Sequence, residues 1–175
     1  MNKNLLIVGA GTYAVVAYEI ATDMGCFEKI DFIDDARESA PNGIKVVGTT
    51  RDMVKIAAEY GNVVVAIGNS EIRLSLLNRL KEETQCQIVS LVSPKAYVFP
   101  SAQVERGCII EPMAVVHTQC VIAEGCIVSA GAVVNHASKC EQGVHVDCNA
   151  TVLGHLCVPK GVKIKSGQVY DGKTE

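Results

Sequence analysis

Four histidines, His117, His136, His145 and His155, are the side chains in this sequence best suited to exchange a proton near neutral pH. His136 lies in "SAGAVVNHASK", directly after a tight segment of small and branched residues. A neutral imidazole there can take a proton from an amine or hydroxyl nucleophile, a role worth ~10²–10⁴-fold in rate. The competing reading for any one of the four is a solvated surface histidine with no chemistry. A second candidate lies near the N-terminus, where "GAGTYA" (residues 9–14) joins an apolar run to an amphipathic segment. Backbone N–H groups and the helix dipole at such a junction can hold a phosphate, although glycines there also serve packing alone. Asp34 and Asp35 end the next apolar run, "KIDFIDD". Carboxylates so placed can accept hydrogen bonds from the sugar or base of a nucleotide.

The elements that position these groups follow from hydrophobic periodicity. "LLIVGAG" (residues 5–11) reads as a buried strand entering a glycine turn, and residues 13–24 carry a helical apolar face closed by Gly25. Residues 29–35 and 62–68 read as further strands, and 50–60 as a helix. "SEIRLSLLNRLKEE" (residues 70–83) reads as a helix with Ser70 as its N-cap, and residues 86–92 close the series. Strand–helix alternation of this kind predicts a small parallel α/β sheet over residues 1–91.

From Val92 the period changes to six. Stepping by six from Val92 to Tyr170 gives fourteen positions, twelve of them Val or Ile. A register four residues later holds small residues, among them Ala96, Cys108, Ala114, Cys120, Cys126, Ala132, Ser138 and Ala150, and glycines recur one place before it. Neither a helix nor simple alternation produces this pattern; a hexapeptide parallel β-helix over residues 92–175 does. Each hexad is one side of a triangular prism, three hexads make a coil of eighteen residues, and residues n and n+18 stack, for example Cys108 over Cys126. At a coil spacing of about 4.8 Å, five coils or fewer stand roughly 20–25 Å tall. On such a coil His117, His136 and His155 run diagonally down one side, with His145 half a coil away.

Composition narrows the function classes. The chain has 175 residues, 49% hydrophobic and 20% charged, with a net charge of -3 and no basic run, which speaks against nucleic acid as a partner. It lacks a span long enough to enter a bilayer and a cleavable leader, so the cytoplasm is the expected location. Eight cysteines without any C-x-x-C pair read as reduced thiols, three of them (Cys108, Cys120 and Cys126) at small-residue positions of the repeat.

The order "GAGTYA", "FIDD", "VAIGNSEIR" and then a hexapeptide prism containing "NHAS…GVHV" resembles the bacterial sugar O- and N-acetyltransferases of the sialic acid O-acetyltransferase (NeuD/PglD-like) family. The resemblance covers almost the whole chain. It implies a Rossmann-like domain that binds a UDP-sugar, a left-handed β-helix, a homotrimer, acetyl-CoA as acyl donor without a metal, and a place in surface-glycan synthesis. By the same resemblance His136 is the general base and His145 contacts the thioester region of acetyl-CoA. Gly11, Thr12, Tyr13, Asp34, Asp35 and Gly68 line the nucleotide-sugar site, and Ser166 is about the last position able to reach the coenzyme. Three features depart from the family: Ala137 stands where an acidic residue often follows the histidine, Tyr13 stands where the glycine loop usually has histidine, and the chain stops at Glu175, about two coils early. The polar end "VYDGKTE" is expected to cap the prism.

Other classes are weaker. A metal lyase of the γ-carbonic anhydrase type needs a close histidine pair, which spacings of nineteen, nine and ten do not give. A dinucleotide oxidoreductase needs a longer first half. A non-catalytic nucleotide-sugar-binding or regulatory protein is the main alternative, favoured by the early end of the prism.

Overall fold

In the computed structural model, which describes residues 3–173, the apolar run after Lys3 forms the central strand β1 (Asn4–Val8). Leu5, Leu6, Ile7 and Val8 are fully buried, as expected of a parallel strand covered on both faces. The chain continues through α1 (Thr12–Met24), β2 (Lys29–Ile33), α2 (Met53–Tyr60), β3 (Gly61–Val65), α3 (Ser70–Glu83) and β4 (Gln87–Ile88). All pairings are parallel, in the order β2-β1-β3-β4. The chain therefore builds outward from β1 to β2, then crosses to β3 on the other side. That reversal opens a crevice at the carboxyl ends of β1 and β3, where open α/β sheets place ligands.

Gly25 closes α1 in the left-handed conformation, φ 64°, as the sequence predicts. The N-cap of α3 is Asn69, not Ser70: the Asn69 Oδ1 accepts the Ile72 N–H at 3.0 Å, and Ser70 is already helical. A capping oxygen has to sit one residue ahead of the helix to reach an N–H of its first turn. The strand expected to run to Asp35 stops at Ile33, and the run 86–92 is split into Gln87–Ile88 and Leu91–Val92.

A division between Leu91 and Val92 separates this unit from the second, in which every strand is two residues long. The second unit is a left-handed parallel β-helix of hexapeptide repeats. The first face stacks Leu91–Val92, Ile109–Ile110, Ile127–Val128, His145–Val146 and Lys163–Ile164. The second stacks Tyr97–Val98, Val115–Val116, Val133–Val134, Thr151–Val152 and Val169–Tyr170. The third stacks Gln103–Val104, Val121–Ile122, Lys139–Cys140 and Cys157–Val158. Each pairing joins residues eighteen apart, such as Ile109 with Ile127 and Val133 with Thr151. The branched register points inward: Ile110, Val116, Ile122, Val128, Val134, Val146 and Val152 are fully buried in one continuous core. Thr174 and Glu175, the end of the expected cap, lie outside the described residues.

The small-residue register has a second reason for its composition. Cys108, Cys120 and Cys126 each send a thiol hydrogen to a carbonyl fifteen residues on, at Ala123 (3.1 Å), Asn135 (3.0 Å) and Glu141 (3.0 Å). Ser138 does the same with the Leu153 carbonyl at 2.8 Å. A small side chain with one weak donor fits this corner, which explains why cysteine recurs there. Cys140 is also buried, but in the branched register, and the apolar core around it pushes its thiol up to about 12. None of the eight cysteines forms a disulfide.

The turns are more demanding than glycine alone suggests. At every sixth residue from Gly107 to Gly167 the backbone is left-handed, with φ between 55° and 73°. Glycine fills only some of these corners; Met113, Gln119, Ala137, Asn149 and His155 adopt the same conformation with a side chain. A left-handed residue with a Cβ costs about 1 kcal/mol or more. Met113 is 74% exposed, so its side chain contributes little packing to offset that cost. Met113→Gly is therefore expected to stabilise the prism by about 1 kcal/mol, read as a higher denaturant midpoint with an unchanged slope.

Candidate functional site

The switch point of the first unit brings most of the predicted nucleotide-site residues to one sheet edge. Gly9, at φ 107°, turns the chain out of β1, and a Cβ there would sit 3.0 Å from the Ala66 carbonyl oxygen and 3.1 Å from the Ile67 side chain. Only glycine lets the loop lie this close to the end of β3. Gly11 caps α1 with an extended backbone, and Thr12 opens the helix. A Cβ on Gly11 or on Gly68 would meet nothing within 4 Å, so both loops front open space beside the positive end of α1. Thr12 is exposed; Tyr13 is half-buried, with its hydroxyl oxygen shielded from solvent.

The two carboxylates act first as loop braces. Asp34 accepts the Ala10 N–H at 2.8 Å through Oδ2 and the Ala36 N–H at 2.9 Å through Oδ1, tying the end of β2 to the glycine loop. Asp35 turns toward Thr50, accepting its N–H and its hydroxyl, each at 2.7 Å. The Thr50 hydroxyl and N–H hold the Asp35 carboxyl below the ordinary carboxylate range, against a small opposing effect of burial. Arg73 carries no such role in the sequence reading, yet its guanidinium is fully buried and donates to the Ile67 (2.7 Å) and Gly68 (2.9 Å) carbonyls. It shapes the loop after β3 from beneath, by bonds that no spacing in the sequence specifies.

On the prism, the diagonal of histidines forms a ring ladder where the second face turns into the third. Phe99 stacks on His117 at 4.2 Å between centroids, His117 meets His136 at 5.9 Å, and His136 meets His155 edge-on at 4.9 Å. The three imidazoles are not equivalent. The His117 Nδ1 accepts the Thr118 N–H at 2.8 Å and is thereby occupied as an acceptor. The exposed His136 places Nδ1 2.8 Å from the Asn135 Oδ1, leaving Nε2 on the far side of the ring. His155 is exposed and occupies a left-handed corner.

Gly154, one coil beyond His136, forms the floor under that ring. A Cβ on Gly154 would fall 2.9 Å from the His136 Cε1 and 3.0 Å from its Nε2. The absence of a side chain at 154 therefore sets where the imidazole can lie. Gly154→Ala is expected to displace the His136 ring, seen as shifted His136 side-chain resonances with those of His145 unchanged.

His145 and Ser166 occupy another part of the prism. His145 belongs to the first face, is 8% exposed, and holds Nε2 3.1 Å from the Ser129 hydroxyl and 3.8 Å from the Asp147 carboxylate. Asp147 pairs with Lys163 at 2.9 Å. Partial burial pushes the Asp147 carboxyl up, but the Lys163 and Cys148 N–H hydrogen bonds and the nearby positive charge outweigh it and hold the group below its usual range. Ser166 is exposed and donates to the Cys148 carbonyl at 2.8 Å. Within one chain, then, His136 stands at one corner of the prism while His145 and Ser166 lie on and beside the first face. Among the described residues, no group of three or more His, Cys, Asp or Glu is placed to hold a metal ion, and no helix is long and apolar enough to cross a membrane.

Comparison with known proteins matches this two-part geometry. Residues 4–80 match the PglD N-terminal domain, and residues 101–136 match the bacterial transferase hexapeptide (six repeats). No curated protein sequence matches the chain. Among solved structures, the acetyltransferase domain of PglB from Neisseria gonorrhoeae FA1090 aligns over 98% of this chain and 95% of its own, with 24% identity and a TM-score of 0.72. The same domain in complex with acetyl coenzyme A aligns at 25% identity and a TM-score of 0.68. PerB from Caulobacter crescentus, in complex with CoA and GDP-perosamine, aligns over 95% of this chain and 88% of its own, with 20% identity and a TM-score of 0.72. The chain thus joins a match to the PglD N-terminal domain over residues 4–80 to a match to the bacterial transferase hexapeptide over residues 101–136.

Proposed function

We propose that the chain is an acetyl-CoA-dependent acetyltransferase acting on the amine or hydroxyl of a nucleotide-activated sugar, with His136 as general base. The observation that carries this reading is the His136 corner: an exposed imidazole, held through Nδ1 by Asn135 and floored by Gly154 beneath Cε1 and Nε2, with Nε2 on the side of the ring away from Asn135. Support comes from the solved structures of like fold, one of which is a complex with acetyl coenzyme A and another with CoA and GDP-perosamine.

Acetyl-CoA supplies a thioester-activated acyl group; the chain has to bring the nucleophile to it and remove a proton. In this scheme the open edge beyond Gly11 and Gly68 receives the nucleotide diphosphate at the N-terminus of α1, with Thr12 and Tyr13 beside it. Asp34 and Asp35 keep the loops in place and use their remaining lone pairs toward the sugar or base. His136 Nε2 takes the proton as the sugar nitrogen or oxygen bonds to the acyl carbon and the coenzyme thiolate leaves. His145 and Ser166 are the proposed coenzyme contacts. Their separation from His136 around one prism fits a cleft shared between copies in a homotrimer. The outward row of the second face, with Tyr97 58% and Val169 59% exposed, suits such packing.

The test is thiol release from acetyl-CoA in the presence of UDP- and GDP-linked amino sugars, with calorimetric titration of acetyl-CoA alone. Binding of acetyl-CoA together with sugar-dependent thiol release is the expected result. Tight nucleotide-sugar binding without any acetyl-CoA binding would overturn the transferase reading in favour of a binding protein.

A further inference from the structure

We infer that Asn135 is the positioning residue of this site: it fixes which nitrogen of His136 carries the proton and leaves Nε2 bare to act as base. The inference rests on the proposed role of His136. Its geometric core is one oxygen atom with two partners. The Asn135 Oδ1 lies 2.8 Å from the His136 backbone N and 2.8 Å from the His136 Nδ1. A backbone N–H can only donate, so the amide atom facing it has to be the oxygen and not the NH₂ group. The same oxygen facing Nδ1 can only accept. The neutral ring is thereby the Nδ1–H tautomer, with the lone pair on Nε2.

The platform under this pair is built to hold it. The Asn135 backbone N–H donates to the Val152 carbonyl at 3.0 Å, and its own carbonyl accepts the Cys120 thiol at 3.0 Å. The His136 carbonyl accepts the His155 N–H at 3.0 Å, and the Ala137 N–H donates to the Thr118 carbonyl at 3.0 Å. Three successive residues are thus fixed to the coils on either side, while the Gly154 floor limits where the ring can swing. Ala137, with a methyl group in a left-handed turn, has no side-chain acceptor to offer. The contrast with His117 sharpens the point: its Nδ1 accepts the Thr118 N–H, which places the opposite tautomer one rung away on the same ladder. Two neighbouring imidazoles are held in opposite proton arrangements, and only His136 presents a bare Nε2.

The test reads the proton directly. In the resting protein, nitrogen shifts of the His136 imidazole should report Nδ1–H with a bare Nε2. Asn135→Ala should move that signature toward the Nε2–H form and lower kcat by about tenfold or more, the direction seen when a histidine base loses its tautomer-setting partner. The KM values for acetyl-CoA and sugar should stay within about twofold. Asn135→Asp keeps an oxygen in place and should restore both the Nδ1–H signature and kcat, which a merely structural role for Asn135 does not predict. An unchanged Nδ1–H signature with unchanged kcat in Asn135→Ala overturns the inference, as does an Nε2–H signature in the unaltered protein. Because the tautomer is read without turnover, it decides the role of Asn135 even if His136→Ala keeps full activity and the base assignment itself fails.

Discussion

His136→Ala should lower kcat for acetyl transfer by about 10²–10⁴-fold while acetyl-CoA still binds in calorimetric titration. The expectation follows from what the ring does and does not contact. His136 is exposed, its ring is hydrogen-bonded to the adjacent Asn135, and its neighbours touch it edge-on across 4.9 and 5.9 Å. Removing the ring therefore costs little folding energy, and lost activity can be assigned to lost proton transfer. The comparison variant is His117→Ala. His117 sits one rung away but spends its Nδ1 on the Thr118 N–H, so its removal should change kcat far less. Equal losses in the two variants would point to general damage of the corner, and full activity in His136→Ala would remove it from the mechanism.

Ile122→Ala should cost the prism about 2–5 kcal/mol, the largest single stability effect anticipated here. Ile122 is fully buried and stacks between Val104 and Cys140 on the third face. The coils on either side are tied to it by parallel ladder bonds, so they cannot collapse readily into the space left behind. A loss of that size is a large share of the ~5–15 kcal/mol typical of a folded domain. Val121→Ala, on the outward side of the same two-residue strand, should cost under about 1 kcal/mol. Denaturant midpoints measured for both variants check the inward–outward alternation residue by residue; equal losses would contradict it.

Much of the fold could be read directly from the chain, because a repeat imposes the same backbone constraint again and again. The six-residue step predicts which side chains point inward, and doing so three times around predicts that residues eighteen apart are neighbours. The ladder pairs Ile109 with Ile127 and Val121 with Lys139 in that way. The ring ladder from His117 to His155 follows from the same count. In the first unit, alternating apolar runs predict the parallel sheet, and Gly25 marks a helix end through its own backbone freedom. Boundaries set by side-chain reach were harder: Asn69 and Ser70 are both good caps by type, and only the path of the chain decides which oxygen meets the Ile72 N–H.

What the sequence by itself determined is the prism, its inward register and the diagonal of histidines, since these depend on period and residue type alone. The tertiary structure decided how the site is wired, because hydrogen-bond partners depend on rotamers and on residues one coil away. It turned Asp34 and Asp35 into loop braces and set Gly154 beneath the His136 ring. It also gave Asn135, an unremarked neighbour in the sequence, the one oxygen that faces both the backbone and the ring of His136.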